Sequence, residues 1–142
     1  MAEKTPLLYE NVFSISPEKA VTVAKIPTRV TIYLQDTPGG SELTGKTLPI
    51  GTTINVRCVI EWQDASGVWR WLLGKTLNIY QRYDTRGTDK IYSGPPTSNG
   101  YYDISVRLIV AGVNTFYAEF LGDDTYAGCE KAVRAFVKCS VC

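Results

Sequence analysis

Residues 52–62 read Thr-Thr-Ile-Asn-Val-Arg-Cys-Val-Ile-Glu-Trp. Apolar side chains occupy every second position of this stretch, and most positions between them are polar or charged. A period of two is typical of a β-strand with one face in a core, because successive side chains of a strand point to opposite faces. The predicted core face carries Ile54, Val56, Cys58 and Ile60, and the opposite face carries Asn55, Arg57, Val59 and Glu61.

The same alternation recurs along most of the chain. It predicts further strands at residues 29–34, 76–82, 102–110, 115–121 and 132–139. Turn signals separate these segments, as at Asp36-Thr-Pro-Gly-Gly40 and at Asn99-Gly100. Residues 127–136 could be read as a helix, but their apolar positions suit a final strand equally well. We therefore predict an all-β fold in which two antiparallel sheets pack face to face.

The chain divides into an arm and one domain. Of the 142 residues, 1–26 are predicted to form an N-terminal arm and 27–142 a single domain. Pro6, Pro17 and Pro27 punctuate the arm, where residues 12–16 and 21–25 are candidates for two short strands. A chain of this size buries about 68–70% of its unfolded surface, so it needs no metal ion or disulfide to fold.

A series of motifs follows in order along the domain. They are Leu48-Pro-Ile-Gly-Thr-Thr-Ile-Asn-Val56, Asp64-Ala-Ser-Gly67, Leu73-Gly-Lys-Thr-Leu77, Ser98-Asn-Gly-Tyr-Tyr102 and residues 111–127. In these motifs, residues 28–138 resemble the immunoglobulin-like repeat of bacterial and archaeal surface proteins, the invasin-type domain. The resemblance implies an immunoglobulin-like antiparallel β-sandwich, here with an N-terminal extension, that acts as a spacer or adhesive module without catalytic residues. Two segments depart from the family: residues 67–73 carry two tryptophans in place of a short polar loop, and residues 81–98 have room for an extra strand or an extended loop.

Composition argues against several functional classes. Fifteen Lys and Arg oppose fourteen Asp and Glu, and there is no His. Without His the chain has no Ser-His or Cys-His pair and no His-ligated zinc. The balanced charge argues against nucleic acid as a partner, and no apolar run is long enough to span a membrane. The sequence therefore favours a non-enzymatic protein that uses no cofactor and binds no metal ion.

Three tryptophans form one candidate binding surface. Trp69 and Trp71 are two residues apart, so on a strand they point the same way, and Trp62 lies just upstream. Together they could form an aromatic platform for a sugar or a partner protein, since Trp and Arg dominate interface hot spots. The alternative is that one or more of them cap the sandwich, because Trp is highly buried on average.

Residues 80–92 interleave tyrosines with cations. The candidates for binding a partner or a glycan are Tyr80, Arg82, Tyr83 and Arg86. Aromatic and cationic side chains together can also hold single-stranded nucleic acid. Asp84 and Asp89 neutralise part of this charge, so a solvated edge strand with its loop is the alternative interpretation.

The positions of the cysteines allow a disulfide near the C-terminus. Cys58 faces the core by alternation and is most simply a buried thiol. Cys129 and Cys139 would lie roughly 33 Å apart on a continuous strand, too far for a bond. Cys139 and Cys142 remain candidates for a bridge, within the chain or between chains.

Two sets of acidic residues are candidates for a calcium site and a glycosidase pair. Asp123-Asp124 could contribute to a calcium site, but a turn in which Asp accepts hydrogen bonds from its own backbone is the simpler interpretation. Glu61 and Glu119 both point away from the core faces, so a glycosidase pair is conceivable, but nothing in the sequence indicates a raised pKa.

These observations favour a structural or interaction module. We expect a component of a virion, such as a capsid-associated, spike or tail protein, or of a cell-surface assembly, because the N-terminus lacks the apolar region of a signal peptide. The expected partners are other protein subunits, met through the arm and strand edges in an oligomer or larger assembly, and glycans. The alternative is a carbohydrate-binding or adhesive domain of a secreted or cell-surface protein.

Overall fold

The computed structural model describes residues 24–139, and this part of the chain is all-β. Its strands are β1 (Thr28–Gln35), β2 (Thr47–Pro49), β3 (Thr53–Gln63), β4 (Trp69–Trp71), β5 (Leu77–Tyr83), β6 (Gly87–Gly94), β7 (Tyr102–Arg107), β8 (Gly112–Phe120) and β9 (Cys129–Lys138). Every strand expected from alternation is present, and residues 127–136 are not helical. The described residues contain no helix long and apolar enough to cross a membrane.

The predicted arm falls mostly outside the described residues. Its candidate strand at residues 12–16 lies wholly outside them, as does the beginning of the one at 21–25. Ala24 and Lys25 belong to no strand, whereas Ile26 forms a parallel bridge to Tyr126. Within residues 24–139, β-pairing therefore begins at Ile26.

Strand β3 is the centre of a four-stranded sheet. Along one edge it pairs with β1, from Asn55↔Gln35 to Trp62↔Thr28. Along the other edge it pairs first with β7 and then, past Ile60, with β4. One strand of 11 residues therefore aligns three partners, all antiparallel.

The second sheet has five strands in the order β2-β9-β8-β5-β6. Strand β6 is the extra strand within the long segment 81–98, and it lies at the edge of the sheet. The pairs are antiparallel except β2 with β9, which run parallel over three residues. The expectation of purely antiparallel sheets was wrong at this pair, because side-chain alternation carries no information on the direction of a neighbouring strand.

The core lies between the sheets, where the predicted face of β3 is buried. Ile54, Val56, Cys58 and Ile60 are each at most 1% exposed. The opposite face is less open than expected, since Asn55 and Val59 are also buried. Asn55 donates a hydrogen bond to Asp103 on this face at 2.9 Å, so its burial leaves its amide nitrogen with a partner.

One polar pair lies inside the core region. Asn114, with no exposed surface, accepts a hydrogen bond from Gln81 Nε2 at 2.7 Å. Its own amide nitrogen lies 3.0 Å from the Val110 carbonyl oxygen and 3.3 Å from that of Gly112. The pair therefore satisfies polar groups that are cut off from water, and it ties β5 to the start of β8.

Replacing Asn114 with Ala should destabilise the fold. The change leaves the Gln81 amide and a backbone carbonyl without partners, so urea denaturation should show a loss of about 1–3 kcal/mol in the free energy of unfolding. Asn78→Ala is the matched control and should lose less, because Asn78 is also buried, at 8% exposure, but forms one side-chain hydrogen bond in the described residues, from Ser93 Oγ. An equal loss in both variants would contradict this account of the buried pair.

Candidate binding faces on the two sheets

The structure divides the predicted binding residues between two surfaces. Trp69 and Trp71 lie on the outer face of the four-stranded sheet, whereas Tyr80 and Arg82 lie on the outer face of the five-stranded sheet. The core separates these faces, so the tryptophans and these residues do not form one site. Tyr83 is buried, and its hydroxyl donates to Asp89 at 3.1 Å.

The three tryptophans divide between the two sides of the four-stranded sheet. Trp62 lies two residues after the buried Ile60 on β3, which places it on the inner side of the sheet. Trp62 packs against the core and meets Tyr126 edge-on, with ring centroids 6.2 Å apart. Trp69 and Trp71 pair with Gln63 and Glu61 and face outward.

The outward tryptophans belong to a group of aromatic rings and guanidinium groups. We call this group the tryptophan cluster; its members are Arg29, Arg57, Trp69, Trp71 and Tyr101. The Arg29 guanidinium carbon lies 4.3 Å from the Trp69 ring centroid, and its Nε donates to Glu61 at 2.8 Å. Arg29 is thus held by a ring on one side and a carboxylate on the other.

The other half of the cluster is tied to β7. The Arg57 guanidinium carbon lies 3.8 Å from the Tyr101 ring centroid, and Trp71 meets that ring edge-on at 5.0 Å. Arg57 also donates two hydrogen bonds to Asp103, at 2.8 and 3.0 Å, and Asn55 donates a third. Burial alone would raise the pKa of the Asp103 carboxyl, but the hydrogen bonds from Arg57 and Asn55 outweigh it and lower the pKa.

Beside the cluster lies an open groove of about 310 Å³. Its lining consists of Thr31, Tyr33, Gln35, Gly39, Arg57, Val59, Glu61, Trp71 and Tyr101. Because Arg29 and Arg57 are each paired with a carboxylate, the charges along this face largely cancel. Trp71 remains 42% exposed and Tyr33 40%, so the groove offers aromatic surface without net charge.

A tight turn supports Trp71 from below. Asn99 and Gly100 have φ values of 50° and 86°, and Ser98 and Tyr101 exchange two backbone hydrogen bonds across them, as Asn-Gly predicted. A Cβ at Gly100 would lie 2.8 Å from Trp71 Cε3 and 2.9 Å from Leu73 Cδ2. Glycine is therefore required at position 100 for two reasons: the positive φ of the turn and the close approach of the Trp71 and Leu73 side chains.

Arg86 and Tyr83 lie at the β5–β6 hairpin. The Arg86 guanidinium carbon is 4.6 Å from the Tyr83 ring centroid, and Arg86 forms a salt bridge with Asp89 at 3.0 Å. Strand β6 is an edge strand that carries Asp89 and Lys90. The hairpin therefore has the edge strand and a charge pair of the kind described by the alternative interpretation of residues 80–92.

Within the described residues, neither the cysteines nor the candidate pair Glu61 and Glu119 form a catalytic arrangement. Cys58 is a free thiol in the core, where burial raises its pKa, and Cys129 is also free. Cys139 is disulfide-bonded, and the predicted pairing with Cys142 involves a residue outside those described. Glu61 and Glu119 lie on the outer faces of different sheets, which excludes a glycosidase pair.

Asp123 forms the backbone turn that the sequence predicted. Its Oδ1 accepts hydrogen bonds from the Thr125 and Tyr126 amides at 2.9 and 2.8 Å, and its Oδ2 lies 2.7 Å from Lys75 Nζ. The pKa of the Asp123 carboxyl is lowered to about 2, and the hydrogen bond from Lys75 is the largest cause. No group of His, Cys, Asp or Glu within residues 24–139 is arranged to hold a metal ion.

No family model matches this chain, and no curated protein matches it by sequence. Its function therefore has to be inferred from its own fold and surfaces.

Sequence reasoning missed three members of the tryptophan cluster. Arg29, Arg57 and Tyr101 come from different segments, and only the pairing of β1 and β7 with β3 brings them together. Tyr101 had one usable signal, its position directly after Asn99-Gly100, which places it at the start of a strand.

Replacing Gly100 with Ala should displace Trp71. The variant combines left-handed backbone strain of about 1–2 kcal/mol with a steric clash, so near-UV circular dichroism should change along with a loss of stability. Gly74→Ala is the matched control, since φ there is +76° and no atom lies within 4 Å of the added Cβ. A near-UV spectrum altered equally in both variants would refute the support of Trp71 by the turn.

Asp123 should make the stability of the fold depend on pH below about 4. Its folded-state pKa of about 2 lies below the unfolded value of about 3.9, so its contribution is present above pH of about 4 and is lost as the pH falls towards 2. The melting temperature of Asp123→Asn should therefore fall less over this range than that of the unmodified chain. Asp124→Asn is the control, because Asp124 forms no salt bridge within the described residues, and it should keep the full dependence.

Proposed function

We propose that this β-sandwich is immunoglobulin-like. In that fold, strands A, B and E share one sheet, and strands G, F, C and C′ follow one another in the second sheet of the variable type. In chain order β1, β3, β5, β6, β7, β8 and β9 take the places of A, B, C, C′, E, F and G, and the neighbours agree in both sheets. One hallmark of antibody domains is missing, since Cys58, on the B-like strand, is a free thiol.

The proposed function is that of a non-enzymatic interaction module. It binds other protein subunits as a component of a virion, as a capsid-associated, spike or tail protein, or of a cell-surface assembly. The observation that carries the binding role is the tryptophan cluster on an outer sheet face. Trp, Tyr and Arg are the residue types that dominate interface hot spots, and Val68, Trp71 and Leu73 add exposed apolar surface beside them.

The cluster is pre-organised for binding. Each guanidinium is held by a carboxylate and a ring, and the Trp71 ring packs edge-on against Tyr101. Side chains that are already fixed lose little rotamer entropy when a partner covers them, so more of the contact energy is available for affinity. This favours a role in recognition over one in solubility alone.

A carbohydrate is the second candidate for this face. The groove of about 310 Å³ has an aromatic wall at Trp71 and polar groups at Thr31, Tyr33 and Gln35, without net charge. Aromatic rings beside hydrogen-bonding groups suit a neutral sugar, whose ring has apolar C–H faces and polar edges. This surface then serves an adhesive domain of a secreted or cell-surface protein.

Sedimentation velocity over a concentration series tests the interaction module. The full chain should self-associate, and Trp71→Ala should weaken the association about 30-fold, as expected for a hot-spot loss of about 2 kcal/mol. Ile109→Ala is the matched control, since this 61%-exposed side chain follows β7 at the far end of the sheet from Trp71.

The remaining outcomes separate the two candidates. A monomer that binds neutral glycans on an array, and loses this binding in Trp69→Ala and Trp71→Ala, supports the carbohydrate role. A monomer that binds no glycan on the array refutes both the subunit-binding role and the carbohydrate-binding role of this face. Removal of residues 1–23, which spares the Ile26–Tyr126 bridge, tests the arm, because unchanged assembly would exclude it as an interface.

A further inference from the structure

The outer face of the five-stranded sheet carries side chains in three chemically distinct rows. The register across β9, β8, β5 and β6 gives a first row of Arg134, Thr115, Arg82 and Thr88. The second row is Ala132, Tyr117, Tyr80 and Lys90, and the third is Glu130, Glu119, Asn78 and Ser93. Successive rows are two residues apart, about 6.7 Å. This face therefore changes from basic through aromatic to acidic over about 13 Å.

The basic row has unused hydrogen-bond donors. Arg82 and Arg134 are both exposed, and the salt bridges within the described residues all involve other cations. Thr115 lies between them, so the two Cα atoms are about 10 Å apart, close enough for both side chains to reach one anion. A guanidinium matches a carboxylate in planar, bidentate geometry.

The aromatic row forms a fixed floor. The Tyr80 and Tyr117 ring centroids lie 5.7 Å apart at an interplanar angle of 44°. The Tyr117 hydroxyl donates to Glu130, and the Tyr80 hydroxyl lies 3.5 Å from Glu119. Both hydroxyls are thereby directed to the acidic row. Lys90 Nζ lies over the Tyr80 ring, 5.7 Å from its centroid, so a cation of the same row borders the aromatic floor.

Above these rows lies a groove of about 420 Å³, within the range of small-ligand sites. We call it the tyrosine groove; it is lined by Tyr80, Arg82, Thr88, Thr115, Tyr117, Glu119 and Ala132. We propose that the tyrosine groove binds a carboxylated sugar residue of an anionic glycan. The sugar carboxylate pairs with Arg82 and Arg134, the sugar ring lies against Tyr80 and Tyr117, and sugar hydroxyls donate to Glu119.

The order of charges selects this ligand over a uniform polyanion. A nucleic acid carries a negative charge on every residue, so a strand crossing the rows would place a phosphate against Glu119 and Glu130. A carboxylated sugar is negative at one edge and carries hydroxyl donors at the others, which complements a basic row followed by an acidic one. This surface lies across the core from the tryptophan cluster, so the inference does not depend on the proposed function.

NMR titration of the ¹⁵N-labelled full chain tests the proposal. The probes are sialyllactose and a tetrasaccharide of alternating glucuronate and N-acetylglucosamine, which distinguish the two sources of sugar carboxylate. Lactose and the N-acetylglucosamine tetrasaccharide are their neutral counterparts. We expect at least one carboxylated probe to shift amides of β5 and β8, and the neutral counterparts to shift none of these amides.

Substitutions assign the binding to the groove. Arg82→Gln and Arg134→Gln should each raise the dissociation constant about tenfold or more, whereas Arg107→Gln, an equal change in charge at an exposed position on β7, should not. Thermal melts show whether each variant is folded.

Several results would overturn the proposal. They are equal shifts of the β5 and β8 amides by neutral and carboxylated probes, shifts of these amides that survive both arginine substitutions, and no such shift with either carboxylated probe. Binding of a poly-glutamate peptide that depends on Arg82, without binding of the sugars, would overturn it in favour of an acidic protein segment.

Discussion

The structure depends on hydrogen bonding along both edges of β3. Residues Asn55 to Cys58 pair with β1 on one edge and β7 on the other, and β4 continues the second edge at Glu61–Gln63. A slip of one residue in any of these pairings would move a row of apolar side chains from the core to the outer face. The burial of Ile54, Val56 and Ile60 thus holds the register of four strands at once.

The register of β3 also builds the tryptophan cluster. It places Glu61 between Arg29 of β1 and Trp71 of β4, and it places Arg57 opposite Asp103 of β7. Each arginine meets its carboxylate directly across the sheet, where cross-strand pairs interact most strongly. The core side of β3 therefore determines the geometry of the outer side, although no apolar core residue belongs to the cluster.

The two outer faces organise charge in different ways. On the four-stranded sheet, opposite charges face each other across a strand pair, as in Arg29 with Glu61, and cancel locally. On the five-stranded sheet, Glu119 is paired with Glu130, and Arg82 and Arg134 flank Thr115, so like charges share a row. Like charges placed side by side destabilise a sheet. This cost falls on Glu119 and Glu130, which lie directly opposite each other, whereas Thr115 separates the two arginines.

The sequence by itself determined the local features of this protein. Alternation identified six of the nine strands in the described residues and the inward residues of β3, and Asn99-Gly100 identified a turn with positive φ. Those properties depend on neighbours in sequence, through the period of two and the conformational range of Asn and Gly. The sequence also suggested that Trp69 and Trp71 share a side, because their spacing alone requires it.

Only the tertiary structure decided which segments meet. Arg29 and Glu61 are 32 residues apart in sequence and Arg57 and Asp103 are 46 apart, and no local pattern encodes such pairings. The parallel pairing of β2 with β9 and the separation of Trp71 from Tyr80 onto opposite faces have the same origin. Alternation sets the two faces of a strand, but the strand beside it and the sheet to which it belongs are set by the packing of the whole core.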